Sequence, residues 1–213
     1  MLHIIKKHQY FHQQKGFSAS VYEGLLLLTV SLIVNYIAGM YATSRAGSPL
    51  SDIILSNTRV FEVGWIFVYG AIILWSTIAI LIITEPKWIP FTLKSIALFI
   101  LVRAFFVPLT SIGPFPQQAA IDYNFILNKV TFGGDFFFSG HAGIPFLAAL
   151  LFWDKKFYRI AFLFAAAFFG ASVLLGHLHY SIDVFSAYFI TYAIFHIAQK
   201  LFWKDYQLFH SAT

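Results

Sequence analysis

Residues 21–42 read VYEGLLLLTVSLIVNYIAGMYA, an apolar run in which Glu23 is the only charged residue. A helix needs about 20 apolar residues to cross a hydrocarbon core of about 30 Å, and this stretch is that long. It is too long for the apolar core of a signal peptide and lacks a convincing small-residue cleavage site. We therefore interpret it as a retained first membrane span.

The same pattern recurs along the chain. The 213 residues are 59% hydrophobic, 20% aromatic and 11% charged, whereas a soluble domain carries about a quarter charged residues. Backbone groups in lipid must be satisfied within their own segment, so long apolar runs predict helices rather than open strands. We predict an all-α membrane protein with six transmembrane helices, at approximately 21–42, 63–84, 93–110, 136–153, 157–176 and 180–203.

Lysine and arginine accumulate on the cytoplasmic side of membrane proteins. With the N-terminus inside, ten of the 14 Lys and Arg residues fall in inner segments, and the other four are Arg45, Arg59, Arg103 and Lys129. This bias predicts an integral multi-pass protein with both termini cytoplasmic. The expected organisation is a cytoplasmic segment at 1–20, a six-helix transmembrane catalytic domain at 21–203 and a cytoplasmic tail at 204–213. Cytoplasmic segments explain the formal charge of +5, so no nucleic-acid partner is expected.

A first polar group lies at the outer start of the predicted fourth span, where residues 134–141 read GDFFFSGH. Ser139 and Gly140 fit a helix N-terminus, whose free N–H groups and positive dipole favour a phosphate anion. His141 lies in the first turn and suits acid–base chemistry, and Asp135 is a supporting candidate. The alternative interpretation is a loop histidine beside a helix cap.

A second polar group, HLHYSID at 177–183, enters the predicted sixth span from the same outer side. His179 and Asp183 are four residues apart and would share a helical face. The carboxylate can accept a hydrogen bond from one ring nitrogen, leaving the other as nucleophile or base. Tyr180 is a further supporting candidate. The alternative makes Asp183 a helix-start charge and His179 an interfacial residue, but the charge count places both polar groups on one membrane face.

Arg103 lies inside the outer half of the predicted third span. Ionisable residues at membrane depth are costly and are functional candidates for that reason. Its planar fork of donors could clamp phosphate oxygens, or the side chain could extend to the outer interface and serve no site. Thr110, near the outer end of the same helix, is the third supporting candidate.

A metal site is a weaker interpretation of the same residues. His141, His177, His179 and Asp183 could in principle supply nitrogen and oxygen ligands. However, no compact ligand pattern such as His-Glu-x-x-His occurs, and the chain has no cysteine. Because an arginine can bind phosphate without a metal, we expect neither a metal nor another cofactor.

The two motifs, GDFFFSGH and HYSIDVFSAYFI at 179–190, resemble the two most diagnostic motifs of the sphingomyelin synthase family. That family lies within the type 2 phosphatidic acid phosphatase superfamily. The resemblance runs from about the third predicted span to the end of the sixth. Arg103 stands where the family carries an arginine in its third span.

This resemblance implies a metal-independent transfer in two steps. In that scheme His179 attacks phosphorus and forms a phosphohistidine, and Asp183 holds and polarises the ring. His141 protonates the departing oxygen and then deprotonates the incoming hydroxyl. In the family the donor is phosphatidylcholine, the acceptor is ceramide, and diacylglycerol leaves.

The chain departs from the family pattern at Gly133, usually cysteine, and at Ala142, usually threonine. Residues 48–50 are only a fragment of the family's proline-rich first motif. These departures leave the identity of the donor and acceptor lipids open.

We therefore predict a membrane lipid phosphotransferase that moves a phosphocholine or phosphoethanolamine headgroup from a glycerophospholipid to ceramide or diacylglycerol. Its site would face the exoplasmic, periplasmic or lumenal side. The first alternative is a lipid phosphate phosphatase or phospholipase C that uses water as the acceptor. The second is a non-catalytic transporter or scaffold, for which charges scattered through the membrane would be expected rather than a cluster at one face.

Overall fold

The computed structural model describes residues 2–110, 112–120 and 137–211. Within these ranges the chain is helical and has no strand. The helices are α1 (Leu2–Gln13), α2 (Phe17–Ser44), α3 (Ala71–Thr84), α4 (Ile89–Phe106), α5 (Gly140–Leu151), α6 (Lys156–Leu175), α7 (Ser181–Leu201) and α8 (Trp203–His210). A π-helical turn, Ile66–Gly70, leads directly into α3. The prediction of an all-helical protein is confirmed over the described residues.

Five helical segments in the described ranges are long and apolar enough to cross a membrane, which supports an integral multi-pass protein. They are Phe17–Ser44, Ile66–Thr84, Pro86–Leu109, Lys156–Leu175 and Ser181–Leu201. Large apolar side chains on their outer surfaces remain exposed, as expected for helices that contact lipid tails. These segments correspond to five of the six predicted spans, with ends that differ by up to seven residues from the predicted ones.

The predicted fourth span, 136–153, is not confirmed as a full-length crossing. Its helix, α5, has 12 residues, and at 1.5 Å per residue that is about 18 Å, well short of the hydrocarbon core. The helix begins only at Gly140 because Ser139 adopts an extended conformation, and it ends at Leu151. Nearly every residue of α5 from Ala142 onwards is buried between neighbouring helices, chiefly α6 and α7. A hydropathy pattern does not distinguish a short helix buried in protein from a longer one in lipid.

The helix ends sort into two groups. The C-terminus of α4 and the N-termini of α5 and α7 meet at one end of the bundle, where Phe61 of the α2–α3 connection also donates a backbone hydrogen bond to Leu175 of α6 at 2.9 Å. At the opposite end, α1 contacts the end of α3, where Lys7 pairs with Glu85. The two polar motifs therefore share one end of the bundle, and α1 and α8 lie at the other. The membrane side that each end faces stays a prediction.

A buried ion cluster secures the end of the bundle opposite the two motifs. The Lys94 ammonium of α4 donates to Ser20 Oγ at 2.8 Å, Glu23 Oε2 at 2.9 Å and Asp205 Oδ2 at 2.8 Å. Ser20 and Glu23 belong to α2, and Asp205 belongs to α8. Part of the predicted C-terminal tail, 204–213, is thus a helix held against the bundle by a buried carboxylate.

Candidate active site

The N-terminus of α7 carries the central pair. His179 precedes the helix by two residues, so the expectation that it shares a helical face with Asp183 is wrong. The two side chains meet because Asp183 turns back over the helix start, where its Oδ2 accepts the backbone N–H of Tyr180 at 3.0 Å. His179 Nδ1 lies 3.6 Å from the same oxygen. Both side chains are buried.

The separation of 3.6 Å is longer than a hydrogen bond and short enough for a strong electrostatic interaction. Catalytic hydrogen bonds are often long without substrate and shorten in the reacting complex. The carboxylate faces Nδ1, which leaves Nε2 as the nitrogen on the far side of the ring. Asp183 Oδ1 is buried and has no hydrogen-bond partner among the residues described.

A backbone hydrogen bond joins the two motifs. The N–H of Ser139, which immediately precedes α5, donates to the backbone carbonyl of Asp183 at 3.0 Å. Ser139 occupies the predicted cap position, but its side chain makes no capping bond, and its buried Oγ has no partner within the described parts of the chain. The first turn of α5 is therefore fixed against the first turn of α7.

The close packing beneath this junction requires glycine at position 143. A Cβ added to Gly143 would lie 2.6 Å from the ring of Phe99 and 3.0 Å from Thr191 Oγ1. Gly143 also donates its N–H to the Ser139 carbonyl at 3.0 Å, which closes the first turn of α5. The sequence Gly-His-Ala-Gly at 140–143 thus lets α5 approach α4 and α7 closely.

Arg103 reaches this junction from α4. Its Nε donates to the Phe138 carbonyl at 3.0 Å, and its Nη1 donates to Asn35 Oδ1 of α2 at 3.3 Å. A Cβ added to Gly140 would lie 4.0 Å from Arg103 Nε, which places the guanidinium beside the start of α5. The side chain is buried, so it does not extend to the bundle surface as the alternative interpretation supposed.

His141 lies on the other side of the α5 start and is held by Phe67 of the π-helical turn. The two rings stack with centroids 3.7 Å apart and planes 25° apart, and His141 Nε2 lies 3.1 Å from the Phe67 carbonyl. A carbonyl oxygen only accepts hydrogen bonds, so Nε2 carries the proton and Nδ1 remains for acid–base chemistry. His141 interacts electrostatically with both His179 and Arg103. The structure thus brings His141, His179, Asp183, Arg103, Ser139 and Gly140 together.

The three supporting candidates have different positions. The Tyr180 hydroxyl donates to the Gly113 carbonyl at 2.8 Å and accepts the Leu50 N–H at 3.1 Å, so it holds two loops rather than facing the histidines. Thr110 follows the end of α4 and has no hydrogen bond to the site residues within the described ranges. Asp135 lies outside the described residues.

Two residues at this end of the bundle were not predicted. Asn35 is a polar residue within the apolar helix α2, and its side-chain oxygen accepts the hydrogen bond from Arg103 Nη1. Asp52 was not selected, and it is a buried carboxylate bonded to Ser181, the first residue of α7. The only local signal for Asp52 is its place just after the proline-containing fragment at 48–50, because its partner lies far away in the sequence.

The part of the chain that carries both motifs is similar to a known protein family. The family model described as PAP2 superfamily C-terminal matches residues 133–200. This match supports the type 2 phosphatidic acid phosphatase superfamily. The matched range contains both motifs, and it supports a phosphatase-type enzyme without distinguishing the sphingomyelin synthase family within the superfamily. No curated protein and no solved structure matches the chain.

The site contains the groups that phosphoryl transfer requires. A histidine beside a buried carboxylate can act as a nucleophile, a second histidine can move a proton, and an arginine beside a helix N-terminus can bind phosphate oxygens. Among the described residues, no group of three or more His, Cys, Asp or Glu side chains could hold a metal ion. The expectation of a metal-independent reaction stays a prediction.

Proposed function

We propose that this protein is a membrane lipid phosphotransferase that moves a phospho-headgroup from a glycerophospholipid to a lipid alcohol through a phosphohistidine. The junction between α5 and α7 is the structural feature that most strongly supports this function. Through the bond from Ser139 to Asp183, the His179–Asp183 pair stands beside the helix start that bears His141. The superfamily match over residues 133–200 supports the same class of chemistry.

In the first step, His179 Nε2 attacks phosphorus, a P–N bond forms and the P–O bond to diacylglycerol breaks. His141 starts this step as the imidazolium, with Nε2–H still facing the Phe67 carbonyl, and donates its Nδ1 proton to the departing diacylglycerol oxygen. Asp183 stabilises the positive charge that develops on the His179 ring. Arg103 and the N–H groups at the start of α5, next to Ser139 and Gly140, offset the charge on the phosphoryl oxygens. His141, His179 and Asp183 thus have catalytic roles in this proposal, and Arg103, Ser139 and Gly140 bind the phosphate.

In the second step, His141 removes the proton of an incoming hydroxyl, whose oxygen attacks phosphorus and releases His179. If the hydroxyl belongs to ceramide or diacylglycerol, the product is a new phospholipid. If it belongs to water, the enzyme is a phosphatase or phospholipase C, and the superfamily match favours keeping this second candidate. The two activities share the first step and differ only in what reaches the phosphohistidine.

A product analysis with defined lipids tests the proposal. Purified protein is given phosphatidylcholine, phosphatidylethanolamine or phosphatidic acid labelled at phosphorus, with and without ceramide or diacylglycerol. A labelled phospholipid that forms only with the lipid alcohol supports transfer, whereas a labelled water-soluble product supports hydrolysis.

The comparison variants are His179→Ala and His196→Ala, because His196 is an exposed histidine of α7 whose Nδ1 bonds to Gln199 Oε1. We expect the first to abolish product and the second to retain it. No product from any donor with the wild-type protein would contradict the proposal and favour a transporter or scaffold. Loss of activity on chelation would contradict its metal-independent form.

A further inference from the structure

The connection between α2 and α3 crosses over the N-terminus of α7 and is bonded to it through Asp52. Asp52 Oδ2 accepts the Ser181 backbone N–H at 2.7 Å and the Ser181 hydroxyl at 2.8 Å. Its other oxygen, Oδ1, accepts the N–H groups of Ile54 at 2.9 Å and Leu55 at 3.1 Å. Asp52 is 7% exposed. One carboxylate thus binds the loop and the helix together with four hydrogen bonds.

A second contact fastens the same loop to the same helix start. Leu50 donates its N–H to the Tyr180 hydroxyl, and that hydroxyl donates to Gly113 of the α4–α5 connection. Gly113 itself donates to the Ser48 carbonyl at 3.3 Å, and a Cβ at Gly113 would lie 2.1 Å from the Gly47 carbonyl oxygen. The α2–α3 and α4–α5 connections therefore converge on Tyr180 and Ser181.

The helix residues that make these contacts, Tyr180 and Ser181, lie between His179 and Asp183 in the sequence. Ser181 is two residues from His179 and two from Asp183, and Tyr180 supplies the N–H that orients the Asp183 carboxylate. A shift of the chain at Ser181 would change the distance between the imidazole and the carboxylate. Small displacements of this kind can lower the rate of an enzyme on the order of 100-fold.

We propose that Asp52 is a positioning residue, which acts through Ser181 to hold His179 and Asp183 in their reactive arrangement. This inference rests on the proposed phosphotransfer at that pair. Asp52 is not itself a reacting group, because Ser181, Ile54 and Leu55 already occupy both of its oxygens. Its charge is held by peptide and hydroxyl donors at the start of a helix, where a carboxylate is favourable.

Turnover of Asp52→Ala, Ser181→Ala and the double variant tests this coupling, with Glu62→Gln as the control. Glu62 is an exposed acid of the same connection. We expect Asp52→Ala to lower kcat by about 10- to 100-fold with little change in KM, and Glu62→Gln to leave both unchanged. Ser181→Ala should lower kcat less, and it should cause no further loss in the Asp52→Ala background. Unchanged kcat in Asp52→Ala, or losses that multiply in the double variant, would overturn the inference.

Amide hydrogen exchange supplies a measurement that does not depend on activity. Asp52→Ala should speed exchange in a peptide that contains Ser181, while a peptide from α8 exchanges as in the wild type. Unchanged exchange at Ser181 would also overturn the inference, and an inactive wild type would contradict the proposed function instead. Asp52→Asn, which keeps the side-chain volume and one acceptor oxygen, repeats both measurements if Asp52→Ala does not fold, with the same change expected in a smaller degree.

Discussion

The backbone N–H of Ser139 donates a 3.0 Å hydrogen bond to the backbone carbonyl of Asp183. This bond connects the first turns of two helices that are separated in the sequence by all of α6. It is made by main-chain atoms, so side-chain substitutions cannot remove it directly. What they can change is the packing beneath it and the groups around it.

Packing at Gly143 is expected to determine the stability of the junction. Because an added Cβ would lie 2.6 Å from the Phe99 ring, Gly143→Ala should push α5 away from α4 and destabilise the fold by about 1–3 kcal/mol. Thermal unfolding in detergent measures the change. Gly140→Ala is the control, since the nearest atom that its Cβ would meet among the described residues is Arg103 Nε at 4.0 Å. Equal melting temperatures for Gly143→Ala and the wild type would contradict the packing described here.

The geometry of the Arg103 guanidinium, and not only its charge, is expected to matter. Arg103 bonds the Phe138 carbonyl and Asn35 through two different nitrogens, and a lysine ammonium cannot reproduce that fork. Arg103→Lys should lower turnover by about 100-fold, the usual effect of removing one donor to a developing charge. Asn35→Ala, which leaves the guanidinium in place, should lower it less. Full activity in Arg103→Lys would rule out a phosphate-binding role that depends on the fork.

Asp183 is expected to act on the rate and not on lipid binding. Asp183→Asn keeps the volume of the side chain but removes the charge that faces His179 Nδ1 at 3.6 Å. We expect kcat to fall by about 10³- to 10⁴-fold, as for other histidine–carboxylate pairs, and KM to stay close to that of the wild type. Steady-state kinetics in mixed micelles separates the two constants. A rise in KM with kcat retained would mean that the carboxylate serves binding instead.

The loop contact made by Asp52 should weaken in acid. Burial raises the pKa of the Asp52 carboxyl, but hydrogen bonds from Ser181, Leu55 and Ile54 lower it by more, so its pKa lies below the ordinary value of 3.8. Its contribution to stability is therefore complete above pH 3.8 and is lost as the pH falls through the folded-state pKa. The difference in melting temperature between the wild type and Asp52→Asn should be constant at neutral pH and shrink in strong acid. A difference that changes between pH 5 and 8 would assign the effect to another group.

Lys94 is expected to support the fold and not the chemistry, because it lies at the opposite end of the bundle. The side chains of Lys94 and Asp205 are 5% and 12% exposed, and that of Glu23 is 66% exposed. Lys94→Met leaves Asp205 buried without its cation and should destabilise the protein by about 3–5 kcal/mol. Glu23→Gln should change stability by less than about 1 kcal/mol. The surviving folded fraction of Lys94→Met should turn over at the wild-type rate per molecule.

Much of the fold could be predicted from the sequence because lipid leaves few alternatives. An apolar run of about 20 residues must satisfy its own backbone, so α2, α6 and α7 follow from hydropathy alone. The short helix α5 does not follow. Phenylalanine occupies positions 136–138, which are as apolar as a span, but the Phe138 carbonyl accepts from Arg103 and the Ser139 N–H bonds to Asp183. Those tertiary contacts leave no trace in composition.

The candidate site, like the fold, could be predicted from the sequence only in part. His141, His179 and Arg103 stand out in the sequence because polar side chains are costly at membrane depth. Asp52 has no such signal, since it lies in a polar connection and its partner, Ser181, belongs to a distant helix. Tyr180 is prominent in the second motif, but its hydroxyl bonds to loop backbone. A motif therefore indicates which residues are important. It gives much less information about what each of these residues contacts.

His179 is expected to become covalently phosphorylated by a lipid donor, and finding the modified residue is the most direct test. The protein is mixed with a donor phospholipid labelled at phosphorus, quenched in alkali, digested and analysed by mass spectrometry. We expect the label on His179, its disappearance when acceptor is added, and no labelling in His179→Ala. Label on another residue, or product formation by His179→Ala at the wild-type rate, would rule out His179 as the nucleophile.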